Sequence, residues 1–270
     1  MVQYSYDAKV KWADTGIDLV AGQETLIAST NGNGLPWGGA FVGPDGAPTF
    51  EWPLSEVPTE TFCQLLGRIG TSGTPFGIGS GLAFRPSVSG RLYLIMNDGV
   101  NFNDNSGGFT VDIIQNAAQA IPLIISNLAR YGITVYQDGL SASDPNFASR
   151  RAWTFDELAE VLAGVQYTAR ALYETKYPQE TIVVKDAIAI YFKVVMGTME
   201  IRRVENGYTV SPPDDKCNGT AGEACTSVGN SAVIFFGNVN VTEYTLVHEL
   251  GHFFNNRSDT GGPTTVSLYS

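Results

Sequence analysis

"LYLIMNDGVNFNDNSGGFTVDI", residues 92–113, sets two apolar, strand-like runs on either side of a loop crowded with Asn and Asp. The loop offers Asn97, Asp98, Asn101, Asn103, Asp104 and Asn105. Carboxylate, amide and backbone oxygens at that density are the ligands a hard cation takes, Ca²⁺ above all. Asn and Asp also bond their own backbone in turns without any metal. On spacing alone, both readings stand.

Working outward, the flanking sequence keeps the same grammar. "VKWADTGIDL" (10–19), "ETLIAST" (24–30), "GLAFRPSVSGRLYLIMND" (81–98) and "GGFTVDII" (107–114) are short runs rich in β-branched and aromatic residues, several alternating in polarity. Between them, "TNGNGLPWGG", "GPDGAP" and "GTSGTPFGIGSG" supply turn and loop chemistry. Short strands with Gly-rich punctuation predict an all-β, jelly-roll-like sandwich over residues 1–114. The last Gly-rich run is no phosphate loop, since it lacks the Gly-Lys-Ser/Thr ending and a following helix.

From Gln115 the pattern changes to helical. "QNAAQAIPLIISNLARYG" (115–132) has helical periodicity, is interrupted at Pro122 and stops at Gly132. "SASDPNFASRRA" is a polar connector, so residues 115–153 read as a helical and linker segment. Thr154 and Glu157 then stand at capping-box spacing, ahead of Leu158, Val161, Leu162, Val165, Ala169 and Leu172 at helical intervals. "AIAIYFKVVMGTMEIRRV" (187–204) reads as one or two strands joined near Gly197, and "SAVIFFGN" (231–238) as another. "NVTEYTLVHELGHFFNN" (240–256) reads as a helix, with Asn240 and Glu243 at capping-box spacing. The expected architecture is therefore two domains, the sandwich and an α+β domain over 154–270.

That last helix holds both histidines of the chain, His248 and His252, four residues apart. Helical geometry puts residues i and i+4 on one face, so both imidazoles can reach one Zn²⁺ at about 2.0–2.1 Å. Glu249 follows at the next angular position, placed to act as general base on a water acidified by the metal. This is the His-Glu-x-x-His signature of zinc hydrolases.

The order of elements and "HELGH" resemble the zincin metallopeptidases. That resemblance implies hydrolysis of a peptide or protein substrate, with "SAVIFFGN" as the edge strand on which the substrate pairs. The zincin patterns also require a third ligand. The metzincin positions hold Asn255 and Ser258, with Asp259 one place further; Asn255 tolerates a left-handed turn, so the chain can reverse there. Eighteen residues follow His252 and none is Glu. Either Asp259 ligates or the ligand lies in sequence beyond Ser270, and the tail "GGPTTVSLYS" reads like a chain cut before its last helix.

"GPDG", "FCQLLGRIGTSGTPFGIGSG" and "LYLIMNDGVNFNDNSGGFTVDI" resemble the calcium-dependent galactophilic lectins of the LecA type. The resemblance implies a Ca²⁺ held by Asp98, the Asn101 carbonyl, Asp104 and Asn105, with a further carbonyl from the "GLPWGG" loop, and a glycan whose hydroxyls complete the coordination. The lectin's sugar-contacting His-Pro-x-Gln segment is replaced by "TFEWPLSEV", and Trp37 and Trp52 are the side chains available to stack on a sugar ring.

A net charge of −11 argues against nucleic acid, which calls for clustered Lys and Arg. No apolar run reaches the roughly 18–20 residues that span a bilayer, and no signal peptide is visible in "MVQYSYDAKVKW". Cys217 and Cys225 flank a short polar loop that a disulfide can close, with Cys63 left over as a buried apolar residue. The sequence thus predicts an extracellular or cell-surface zinc metallopeptidase with an N-terminal calcium-dependent glycan-binding domain. The alternative is a glycan-binding protein whose peptidase-like domain is inactive or incomplete.

Overall fold

A computed structural model describes residues 1–35, 42–47, 53–99, 101–144, 147–178, 186–205, 224–226, 233–237 and 240–259. The chain forms two compact units, one of residues 1–120 and 170–188, the other of 121–169 and 189–270.

Among its described residues the first unit carries eight strands: β1 (Val2–Asp7), β2 (Ala13–Leu19), β3 (Thr25–Leu35), β4 (Leu65–Ile69), β5 (Phe76–Gly77), β6 (Gly81–Phe84), β7 (Gly90–Met96) and β8 (Ser106–Ile114). They make two four-stranded antiparallel sheets, in the orders β1-β8-β3-β6 and β2-β7-β4-β5. The pairings nest: first with last, second with seventh, third with sixth, fourth with fifth. A long hairpin wrapped into two sheets gives this order, which is the jelly-roll topology.

Its core takes the inward residues of both sheets, among them Ile27, Leu65, Leu92, Leu94, Val111 and Ile113, all buried. Tyr6 joins the sheets: its hydroxyl donates to the Val10 carbonyl at 3.0 Å and accepts from the Met96 amide at 2.8 Å. Burial pushes its phenol well above the ordinary tyrosine range. Gly108 is obligatory, because a Cβ there would lie 1.8 Å from the Tyr6 carbonyl oxygen.

β3 runs past "ETLIAST" into "NGNGL", which the sequence predicts as loop. A register shift between Ser29 and Asn31 lets Asn31–Leu35 continue the ladder on β8, so cross-strand hydrogen bonding overrides poor strand propensity.

The second unit is built on a mixed sheet of β9 (Ile133–Val135), β10 (Met199–Arg203), β11 (Ala224–Thr226) and β12 (Val233–Phe236), in the order β11-β12-β10-β9. β10 is parallel to both β9 and β12, whereas β11 is antiparallel to β12. Residues 115–153 are therefore more than a linker, since they contribute β9 to this sheet. β12, the "SAVIFFGN" strand, is not an edge: β11 covers it.

Four α-helices accompany these strands among the described residues: α1 (Ala117–Arg130), α2 (Phe155–Lys176), α3 (Ala187–Met196) and α4 (Glu243–Asp259). α1 passes through Pro122 without the expected interruption, held by the buried stripe Ala120, Ile121, Ile124 and Leu128. α3 corrects the strand expected at "AIAIYFKVVM". Ile188, Ala189, Phe192 and Met196 are buried while Ile190 and Val194 are exposed, a one-sided helical pattern that a continuous apolar run conceals.

The capping box forms as expected. The Glu157 amide donates to Thr154 Oγ1 at 3.2 Å, and the Thr154 amide to Glu157 Oε2 at 3.0 Å. Glu157 also accepts from the buried Arg203 guanidinium at 2.6 Å. Burial alone would raise its carboxyl pKa, but the Thr154 amide and Arg203 outweigh it and hold the group below the usual carboxylate range.

A depressed folded-state pKa stabilises the fold above the unfolded value of about 4.3, and that contribution fades as pH falls through the folded value. Glu157→Gln should cost about 3 kcal/mol at pH 7, because it leaves a buried guanidinium without its anion. Urea melts at pH 7 and below pH 4 check this: the two proteins should differ at neutral pH and converge in acid.

Candidate functional site

The loop joining β7 to β8 crosses from one sheet of the jelly roll to the other. Asn97, at its start, is fully buried. Its Nδ2 lies 3.0 Å from the Val57 carbonyl, 3.1 Å from that of Glu60 and 3.0 Å from that of Thr61, while Oδ1 accepts from the Val57 amide at 2.9 Å. With both side-chain polar atoms engaged, Asn97 clamps the loop.

Asp98 is also buried, with Oδ1 accepting from the Gly99 amide at 2.7 Å and its carbonyl from the Glu56 amide at 2.8 Å. Phe102 anchors the loop's centre by packing against Leu66 and Ile95. Around it, Phe102–Asp104 forms a 3-10 turn capped by Asn101, whose Oδ1 accepts from the Asn103 amide at 3.3 Å and whose Nδ2 donates to Asp104 Oδ2 at 3.0 Å. Asn101 and Asp104 are exposed and hold each other.

Asn105 closes the loop. It is 1% exposed, and its Nδ2 donates to the Ala8 carbonyl at 3.1 Å. A carbonyl can only accept, so this contact fixes which end of the amide is nitrogen. The remaining atom, Oδ1, is buried without a hydrogen-bond partner. A buried acceptor in that state is costly, and a hard cation is one group that satisfies it. Asp98 and Asn105 are thus the buried donors of the expected calcium set, and Asn101 and Asp104 the solvent-facing ones. Trp37, Trp52 and the rest of the "PWGG" segment lie outside the described residues.

The histidine helix is seated by its neighbours in the second unit. Thr242, not Asn240, is its cap, since Thr242 Oγ1 accepts from the Thr245 amide at 3.1 Å. Glu160 Oε2 accepts from the Glu243 amide at 2.8 Å, an anion at the positive end of the helix. Gly164 permits close approach, for a Cβ there would meet Leu246 Cδ2 at 3.0 Å and the Glu243 carbonyl oxygen at 3.2 Å.

On this helix His248 and His252 are exposed and converge, Nε2 to Nε2, at 2.9 Å, their rings 4.5 Å apart and edge-on. Two nitrogens on one tetrahedral zinc would stand roughly 3.3 Å apart, given ligand distances near 2.0–2.1 Å. The pair is therefore close to a two-ligand arrangement. Glu249 is buried, on the stripe it shares with Leu246, Leu250 and Phe253.

The helix runs unbroken through Asn255 to Asp259, so the expected reversal is absent and the Asp259 backbone stands two turns past His252, roughly 10 Å along the axis. Among the described residues no three His, Cys, Asp or Glu side chains gather as a metal site. Cys63 is a free, buried thiol whose pKa burial raises; Cys217 and the Cys225 side chain lie outside what the structure describes. No described helix is long and apolar enough to cross a membrane.

No family model matches the chain, and no curated protein matches it either. Among solved structures it is similar to the N-terminal domain of EclA, described as a PllA-like lectin. That likeness has 25% identity and a TM-score of 0.36, and covers 43% of this chain and 97% of the other.

Asn97, which spacing alone leaves as one more loop oxygen, is the residue that sequence reasoning missed; its burial is the only signal. Asn97→Ala should cost about 2–4 kcal/mol, since it removes two N–H donors shared among three carbonyls and strands the half-buried Val57 amide. Chemical denaturation measures the loss, and a cost within 0.5 kcal/mol, typical of a surface substitution, would show that Asn97 is no clamp.

Proposed function

We propose that this chain is a glycan-binding protein whose jelly-roll unit holds a calcium ion in the 97–105 loop. The observation that carries the reading is the buried, unpartnered Oδ1 of Asn105, in the same loop as the buried carboxylate of Asp98. Asp98, the Asn101 carbonyl, Asp104 and Asn105 would hold the ion. When bound, calcium would supply open coordination positions for sugar hydroxyls; the chain's own contribution is the anchoring of Asn97 and Phe102 on either side of the site. The neighbouring lectin's description accords with this reading. An extracellular or cell-surface setting suits it, because calcium modules that work outside cells bind at about 10⁻⁴–10⁻³ M.

Calcium at about a hundred times its Kd should stabilise the protein by about 2.7 kcal/mol. Asp98→Ala and Asn105→Leu should abolish that gain, and retention on a glycan array should vanish in EGTA. A folded protein that gives no calorimetric heat up to about 10 mM Ca²⁺, ten times the weak end of that range, would sink the reading.

The convergence of the two histidine Nε2 atoms favours a second reading, a zinc site on α4 with hydrolytic activity on peptides. His248 and His252 would hold the metal, which when bound acidifies water; Glu249 would take up the proton. Elemental analysis should then find one zinc per chain, lost in His248→Ala and kept in Glu249→Gln, with peptide hydrolysis lost in both. Purified protein that stays zinc-free after dialysis against micromolar zinc would remove this reading and leave the first intact.

A further inference from the structure

The 97–105 loop lies at one pole of the jelly roll. At the other pole, the turns joining β4 to β5 and β6 to β7 frame an open cleft of about 650 Å³. That volume falls within the range of small-molecule sites. The floor is apolar: Phe76 and Phe84, 5.4 Å apart with planes tilted by 50°, together with Ile69 and Leu82. All four are half-buried, so part of each faces the opening.

The rings come from different sheets. Phe76 belongs to β5 and Phe84 to β6, the two strands that end their respective sheets. The cleft is thus the open side of the sandwich, where the sheets part. Gly67 on β4 makes the floor possible, because a Cβ there would sit 2.8 Å from the Phe76 ring. The rim is hydroxylated, with Ser72, Thr74 and Ser87 all exposed.

Charge narrows the occupant. Arg85, the cation lining the cleft, is committed to the Gly22 carbonyl at 2.8 Å and to Glu24 at 2.8 Å. Among the described residues, no acidic side chain lines the cleft. A neutral ligand is favoured, since a charged one would lose hydration without a free counter-ion. An open cleft with an aromatic floor and hydroxyl rim suits a ligand with an apolar face and a polar perimeter. A sugar ring has that form, with C–H bonds on its face and hydroxyls around its edge.

We propose that this cleft is a second, calcium-independent subsite for a neutral saccharide ring, which stacks on Phe76 and Phe84 and bonds the rim hydroxyls. The assignment deepens the glycan-binding reading and rests on it for the ligand class, but not for the calcium ion. Two subsites at opposite poles would let one chain bridge two glycans.

The test is NMR of the full chain, with methyl labels on Ile69, Leu82 and Val88. It is titrated in EGTA with the methyl glycosides of galactose, glucose, mannose and N-acetylglucosamine. At least one sugar should shift these methyls saturably, equally in wild type and Asp98→Ala. Affinity should fall at least about tenfold in Phe76→Ala, a loss of the size removal of an aromatic contact brings. Ser87→Arg, at the exposed rim, should block the cleft without opening the core, and so serves if Phe76→Ala does not fold.

Sugar binding that vanishes entirely in EGTA overturns the subsite and leaves the calcium reading standing. Binding that survives EGTA and is lost in Ser87→Arg supports the subsite even if calcium proves irrelevant. Methyl shifts produced by an apolar dye but by none of the sugars overturn the saccharide assignment.

Discussion

A single buried carboxamide governs the pole of the jelly roll where the candidate calcium ligands gather. Asn97 spends its amide on three carbonyls and its oxygen on one backbone amide, all in the 57–61 segment. In a low-dielectric setting such a network is stronger than it would be in water, and each member is costly to leave unpaired. Tyr6 adds a second buried polar joint, from β1 to the last residue of β7. Beside these fixed points Asp98 accepts from the Gly99 amide and Asn105 donates to the Ala8 carbonyl, and both side chains are buried.

The histidine helix of the other unit illustrates a different constraint. Successive residues of an α-helix point about 100° apart, so Glu249 stands to one side of the face that His248 and His252 share. Here it turns into the buried stripe with Leu246, Leu250 and Phe253. Because Gly164, the Thr242 cap and Glu160 seat the helix, the two histidines are exposed while Glu249 is buried. The two histidines converge on each other, and among the described residues no group of three His, Cys, Asp or Glu side chains forms around them.

Local patterns were legible wherever the decisive contacts lie within a few residues of one another. The Thr154–Glu157 box, the glycine stop at Gly132, the alternating runs of the first half and the shared face of His248 and His252 belong to this group. Where partners are distant, the pattern misled. "AIAIYFKVVM" is apolar at nearly every position, so neither period stands out, and only tertiary burial shows that it is a helix. "NGNGL" has loop composition, yet the ladder of β8 draws it into a strand.

The sequence by itself determined the strand grammar of the first half, the oxygen-rich loop and the paired histidines, because each is set by short-range spacing. Only the tertiary structure decided which loop oxygens are used up, which strand covers β12, how far α4 carries Asp259 from the histidines, and that the sandwich opens over Phe76 and Phe84. Those outcomes depend on which segments meet across the fold, where burial and partner geometry outweigh local preference.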